Sequence, residues 1–135
     1  MIVVSQVPAQ SVHQTWPKVE EFFAKVAAHS SQSYSLEQMR TEIFMNRWAL
    51  LIAERDGQVI GAMSMQYQNR MNERVAFIFT TGGKGIATPE TWAQVARIFK
   101  ANGATATEGG MRPSAYRLWR RLGFTAKYQV AGMKL

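Results

Sequence analysis

The sequence predicts a mixed α/β fold, a mostly antiparallel sheet with helices on both faces. Three observations lead there. Two helical stripes open the chain. Three consecutive strand patterns follow them. The second half then changes to strand, glycine loop, helix and strand, an order that calls for a parallel βαβ crossover. The predicted order is α-α-β-β-β-α-β-α-β within a single domain of residues 1–135, and 135 residues are enough for one core.

Residues 16–29 carry Val19, Phe22, Phe23, Val26 and Ala27 at helical spacing, with Thr15 as a candidate cap and Pro17 in the first turn. A Ser/Gln loop follows. Ser35 and Gln38 then make an S-x-x-Q capping box, and Leu36, Met39 and Ile43 continue a second helix. Trp48 to Ala53 is an unbroken apolar run, which reads as a central strand. Asp56-Gly57 signals a hairpin turn. Beyond it Val59, Gly61, Met63, Met65 and Tyr67 alternate along one strand face. After a polar turn, Val75 to Thr80 forms the next strand, with Val75, Phe77 and Phe79 on one face. Residues 2–7 are compatible with one further short strand.

Gly82 to Gly85 then interrupt the strand pattern. Thr88 and Pro89 are suited to start a helix whose stripe is Trp92, Val95, Ala96 and Phe99, with Gly103 closing it. Ala104 to Glu108 is a short strand broken by Gly109-Gly110. Pro113 opens a last helix with Ala115, Leu118, Trp119 and Leu122 on its apolar stripe and Arg117, Arg120 and Arg121 opposite. Gly123 ends it, and Phe124 to Val130 is the expected final strand.

Composition excludes several classes. There is no cysteine, so neither disulfides nor thiolate metal sites exist, and His13 and His29 are too few for a histidine-rich metal centre. The N-terminus has no signal-peptide pattern, and no apolar run reaches the length of a membrane span. The expectation is therefore no metal, no membrane and a cytoplasmic location. The net charge of +7 is confined to one part of the chain. Residues 1–83 balance seven basic against seven acidic side chains, whereas residues 84–135 hold nine basic ones against Glu90 and Glu108 alone. Such a surplus suits an anionic partner and equally suits simple solubility.

A glycine loop at a strand-to-helix junction brings backbone N–H groups close to a phosphate, where the helix N-terminus adds partial positive charge. Lys84 stands ready to add a full charge. The spacing is neither that of a Walker loop nor a dinucleotide fingerprint.

Taken with the helix that follows it, this loop resembles the GNAT acyltransferase superfamily. The family's pyrophosphate loop has the form Arg/Gln-x-x-Gly-x-Gly/Ala; here it reads Gly82-Gly83-Lys84-Gly85-Ile86-Ala87. Its later helix has the form Asn-x-x-Ala-x-x-Leu-Tyr-x-x-x-Gly-Phe; here Arg112, Ala115, Leu118, Trp119, Gly123 and Phe124 stand at those positions. The pattern covers roughly residues 47–130. The resemblance implies acetyl-CoA as cofactor and an amine as acceptor. It implies that the backbone of Phe79, Thr80 and Thr81 pairs with the pantetheine arm. The amides of Gly83, Lys84, Gly85, Ile86 and Ala87 would hold the pyrophosphate, with Lys84 as charge partner. Arg117, Arg120 or Arg121 would reach the 3′-phosphate. A general base would come from Glu54 or Glu73.

Three departures bear on the chemistry. Gly82 replaces the Arg/Gln of the loop, Arg112 replaces the Asn, and Trp119 replaces the Tyr that in many family members protonates the leaving thiolate. Tyr116, one turn earlier at a different place on the helix, is the candidate to substitute as acid. The departures keep a second reading open, a catalytically inactive GNAT-fold protein. The chain is also similar to small GNAT-like proteins of tailed bacteriophages, some of them virion components, which would place it in the host cytoplasm or virion among other phage proteins. A third reading uses the arginine face for nucleic acid.

Overall fold

The structure, a computed structural model, describes residues 1–29 and 34–135. The Ser/Gln loop expected after the first helix falls on residues 30–33, outside the described residues. Five strands form one sheet in the order β1-β2-β3-β4-β5: β1 Ile2–Gln6, β2 Ala49–Arg55, β3 Gln58–Asn69, β4 Arg74–Gly83 and β5 Ala106–Gly109. The first four are mutually antiparallel, and β5 lies parallel to β4. The helices are α1 Val12–His29, α2 Leu36–Phe44, α3 Trp92–Ala101 and α4 Pro113–Trp119.

Two apolar clusters flank the sheet, as helices on both faces require. On one face Val12, Trp16, Val19 and Phe23 of α1 and Met39 and Ile43 of α2 pack on Leu50, Ile52 and Ala62. On the other, Val95 and Phe99 of α3 pack on Leu51, Met63, Met65, Ala76 and Ile78. Fully burying one such side chain contributes roughly 1.5–3 kcal/mol, so the two clusters are what hold the sheet between its helices.

The local signals mostly act as expected. Ser35 caps α2: its hydroxyl accepts from Gln38 N–H while the Gln38 side chain accepts from Ser35 N–H. Asp56 and Gly57 both have positive φ, 52° and 79°, which makes the two-residue turn joining β2 and β3. Gly103, at φ 86°, closes the end of α3.

Five expectations need correction. The first helix begins at Val12, so Thr15 is not its cap; the Thr15 hydroxyl instead donates to Ser11 O, and Pro17 lies inside the helix. The third helix begins at Trp92 because Thr88 to Thr91 form a turn of their own, in which Thr88 Oγ1 accepts from Thr91 N–H at 3.3 Å. Val59 does not share a face with Met63, Met65 and Tyr67. Ala53 pairs with Gly61 and Glu54 with Val59, so Ile60 is an extra residue. This bulge turns Val59 toward the α1/α2 cluster.

The final strand is the fourth correction. Residues 124–135 form no regular element, and from Thr125 onward every residue is exposed. Leu118 also departs from the expected stripe of α4, being 62% exposed.

Candidate active site

The site is built around β4. β3 and β4 pair Ser64 with Thr80 and Met65 with Ile78, which leaves Phe79 as a bulge without a partner on β3. Across the other edge β5 ends at Gly109, opposite Ile78. From Phe79 to Gly83, β4 therefore continues with no strand on its far side. The backbone of Phe79, Thr80 and Thr81 is thus presented along an open edge that an extended ligand can pair with. The Phe79 ring stacks on Trp48 at 4.1 Å, and Thr80 Oγ1 shares a 2.5 Å hydrogen bond with Ser64 Oγ beneath it. Phe79 is therefore anchored on the α1/α2 face while its backbone lies at the edge.

The glycine loop follows directly. Gly83 and Gly85 have φ of 75° and 76°, a region that side chains other than glycine seldom occupy. A Cβ at Gly61 would overlap the Lys84 carbonyl oxygen, and a Cβ at Gly82 would come within 2.9 Å of Phe22 O. Packing against β3 and α1 thus accounts for part of the loop's glycine content. Lys84 N–H donates to Ile60 O at 2.8 Å, so of the five amides expected at a pyrophosphate this one is already committed. The Ile86 side chain is sunk in the α3-side core. Among the described residues no backbone carbonyl accepts from the amides of Gly85, Ile86 and Ala87. These three N–H groups and the exposed Lys84 side chain precede α3 and form a donor set of the kind that suits a diphosphate.

Arg117, Arg120 and Arg121 are exposed on and just beyond α4, and among the described residues none pairs with a carboxylate. A cleft of about 290 Å³ lies between Trp92 at the start of α3, Thr107 on β5 and Leu122 to Thr125. A roomier cleft of about 440 Å³ sits at the opposite end of the sheet, lined by Gln6, Pro8, Asn46 and Asn102, away from the glycine loop.

The acid and base candidates are spread apart. Trp119 packs edge-on against Phe124 and Trp92, with ring centroids 4.9 and 5.9 Å away, so it fills an aromatic cluster. The Tyr116 hydroxyl accepts from Ala126 N–H at 3.0 Å and keeps its own proton free to donate. Glu73 lies in the β3–β4 turn, with its carboxylate 3.8 Å from Lys127 Nζ. Five residues of strand, Arg74 to Ile78, separate it from the Phe79 bulge, six steps or roughly 20 Å of extended chain. Glu54 is at the far end of β2, paired with Val3 and Val59.

One charged group to which the sequence assigned no role at the site is Glu108. It is only 5% exposed and is the one buried charged residue among those described. Its Oε2 accepts from Arg70 Nη1 at 2.8 Å and Lys127 Nζ at 2.6 Å. Burial pushes the Glu108 carboxyl up, but the hydrogen bonds and charges of Lys127 and Arg70 outweigh this and hold it below its ordinary value. An acidic residue inside a strand of an otherwise basic half was the available signal; its partners lie 38 and 19 residues away and carry no local pattern.

No family model matches the chain, and no curated protein does. Solved structures do match. An aminoglycoside acetyltransferase from an uncultured soil metagenomic sample, in complex with sisomicin, superposes with a TM-score of 0.70 over 99% of this chain and 95% of its own at 11% identity. A ribosomal-protein-alanine N-acetyltransferase from Brucella melitensis biovar Abortus 2308 gives 0.70 over 100% and 99% at 9% identity. The chain has the GNAT fold. A transcriptional regulator from Bacillus halodurans C-125 reaches 0.67 over the whole of both chains at 14% identity. The GNAT fold thus accommodates differently named proteins, and function has to be argued from the site. The bacteriophage likeness gains no support from these neighbours. Among the described residues no helix is long and apolar enough to cross a membrane, and no cluster of metal-ligating side chains occurs.

Proposed function

We propose that this chain is an N-acyltransferase that uses acetyl-CoA and an amine acceptor. The observation that carries the reading is the continuous run from the Phe79 bulge, along the open edge of β4, into the free amides of Gly85, Ile86 and Ala87. This run offers extended backbone and then a phosphate-sized donor set in the order that a pantetheine arm and a pyrophosphate demand. Lys84 supplies the ionic partner, and Arg117, Arg120 and Arg121 supply exposed cations for a further phosphate. The acetyl thioester supplies an activated acyl carbon. The chain's part is to hold that carbonyl against the β4 backbone N–H groups near the bulge, where developing negative charge is stabilised, and to orient the amine for direct attack. Tyr116, whose hydroxyl keeps its own proton, is the residue we assign to return a proton to the leaving thiolate. Glu73 is set far from the bulge, and no step is assigned to it.

The test is thermal. A ligand that binds only the folded chain at a hundred times its Kd stabilises it by about 2.7 kcal/mol. Acetyl-CoA is expected to raise the melting temperature, and Lys84→Ala to reduce that rise. An unchanged melting temperature at millimolar acetyl-CoA overturns the reading.

The aromatic packing of Trp119 favours a second reading, binding without turnover. It predicts the same thermal shift with no release of free CoA thiol in the presence of amines. Release that falls by about a hundredfold in Tyr116→Phe would decide for catalysis, since a general acid contributes on the order of 10²–10⁴ in rate.

A further inference from the structure

Glu108 is not explained by the acetyl-CoA run, although it lies close to it. It pairs in register with Phe77, one residue before β4 and β5 part and two before the bulge. Strand spacings place its Cα roughly 8 Å from that of Phe79. Registered neighbours on parallel strands point to the same face, and the Phe77 ring is 5.1 Å from that of Phe79. The carboxylate therefore faces the side on which Phe79 meets Trp48. A buried carboxylate is costly unless charges and hydrogen bonds compensate it.

The two compensating cations differ in kind. Arg70 belongs to the β3–β4 turn, where its N–H donates to Glu73 O at 2.8 Å and its guanidinium also donates to Gln68. Lys127 comes from the C-terminal segment, in which every residue from Thr125 to Leu135 is exposed. Little apolar burial keeps its ammonium in place. The second carboxylate oxygen, Oε1, receives only the long 3.4 Å contact from the Tyr128 hydroxyl. Glu73 is 3.8 Å from the same ammonium. Two carboxylates thus share Lys127, and withdrawing it leaves the buried Glu108 with Arg70 as its one cation, Glu73 with none among the described residues, and the place of an ammonium open between them.

We propose that Glu108 is the seat for a primary ammonium of the acceptor, and that Lys127 is an internal occupant the acceptor must displace. The naming of the ligand as an acceptor rests on the acyltransferase reading; the seat itself rests on the geometry of Glu108, Arg70, Glu73 and Lys127. The acceptor class is a cationic amine with a second amino group to react, so that one ammonium anchors while the other meets the acyl carbon. Glu108 is then a positioning and specificity residue, and the C-terminal segment sets how readily the seat opens.

Butane-1,4-diamine is the probe, with butane-1,4-diol at equal concentration and sodium chloride at equal ionic strength as controls. The diamine is expected to raise the melting temperature of Lys127→Ala more than that of the unaltered chain, and the controls to leave both alike. Lys127→Arg keeps a cation in the seat and should restore the unaltered response. In acetyl transfer to the diamine, Lys127→Ala should lower KM about tenfold while kcat changes less than twofold, a split that marks binding rather than chemistry. Glu108→Gln should raise KM; if it does not fold, the contrast between the alanine and arginine variants at Lys127 decides. Equal diamine responses in Lys127→Ala and the unaltered chain, or a response matched by sodium chloride, overturn the proposal. If acetyl-CoA gives no thermal shift, the acyltransferase reading fails, while the diamine response still tests the seat.

Discussion

The two ends of the chain are built on different terms. Residues 2–109 hold the sheet and both apolar clusters, and all the fully buried side chains among the described residues belong to them. Residues 110–135 hold no buried residue, yet they carry four arginines that pair with no carboxylate among the described residues, the candidate acid Tyr116 and the Lys127 that closes on Glu108. Half of the exposed large apolar side chains also lie there: Leu118, Tyr128, Val130, Met133 and Leu135. Buried apolar packing is concentrated in the first region, and unpaired exposed cations in the second. Substitutions in the second region should therefore leave the melting temperature of the free chain nearly unchanged, whereas core substitutions in the first should lower it.

The sharpest break is expected at Phe23, fully buried on α1 and ring-stacked near Trp16. Phe23→Ala should cost about 4 kcal/mol, as large-to-small changes in packed cores do, read as a lower midpoint in urea with an unchanged slope. Gly61→Ala should follow at about 2–3 kcal/mol. Its Cβ would meet the Lys84 carbonyl, backbone that cannot swing aside like the tip of a flexible side chain. Because Lys84 leads into the free amides, this variant should also weaken acetyl-CoA binding. A Gly61→Ala chain that loses stability but keeps its acetyl-CoA shift would show that loop and ligand are uncoupled.

Strands β2 to β5, the four α-helices, the Ser35 cap and the Asp56-Gly57 turn were legible because each depends on a short-range pattern: apolar spacing, Ser35 with Gln38, Asp56 with Gly57. The bulges were not. Ile60 and Phe79 each lie in apolar stretches where one extra residue leaves the period-two pattern looking intact, and only the pairing register exposes it. The last strand failed for a related reason. Phe124 to Val130 has strand-forming residues, but a strand is defined by a partner, and β5 offers only four residues of edge. The glycine loop was legible as a loop; what could not be seen was that Gly82 and Gly83 answer to Phe22 and β3 as much as to a ligand. Glu108 was hidden because its charge partners are remote in sequence.

A smaller effect is expected from alkaline pH, and it again separates the regions. Burial pushes the Tyr67 hydroxyl up to about 12, against the opposing influence of the Arg74 charge and its hydrogen-bonded surroundings. The folded value lies above the unfolded one, so the neutral phenol's contribution is intact below pH 10 and is lost as pH rises through about 12. Tyr67→Phe should flatten the fall in melting temperature over that window, and a fall of the same size in both chains would place its origin elsewhere.

The smallest effect should come from removing residues 129–135. Their side chains are all exposed, and among the described residues none of them donates or accepts a side-chain hydrogen bond or joins an ion pair. Surface changes away from such features usually stay within about 0.5 kcal/mol, so the shortened chain should melt like the full one. It keeps Lys127 and Tyr128, and hence the contacts to Glu108. Those contacts depend on an ionised carboxyl held below its ordinary value of 4.5. Their stabilisation is complete above that value and is lost as pH falls through the lower folded value, in both chains alike. A shortened chain that melted several degrees lower at neutral pH would show that Val130, Met133 or Leu135 is covered in solution, and the contrast between a buried body and a bare arm would have to be redrawn.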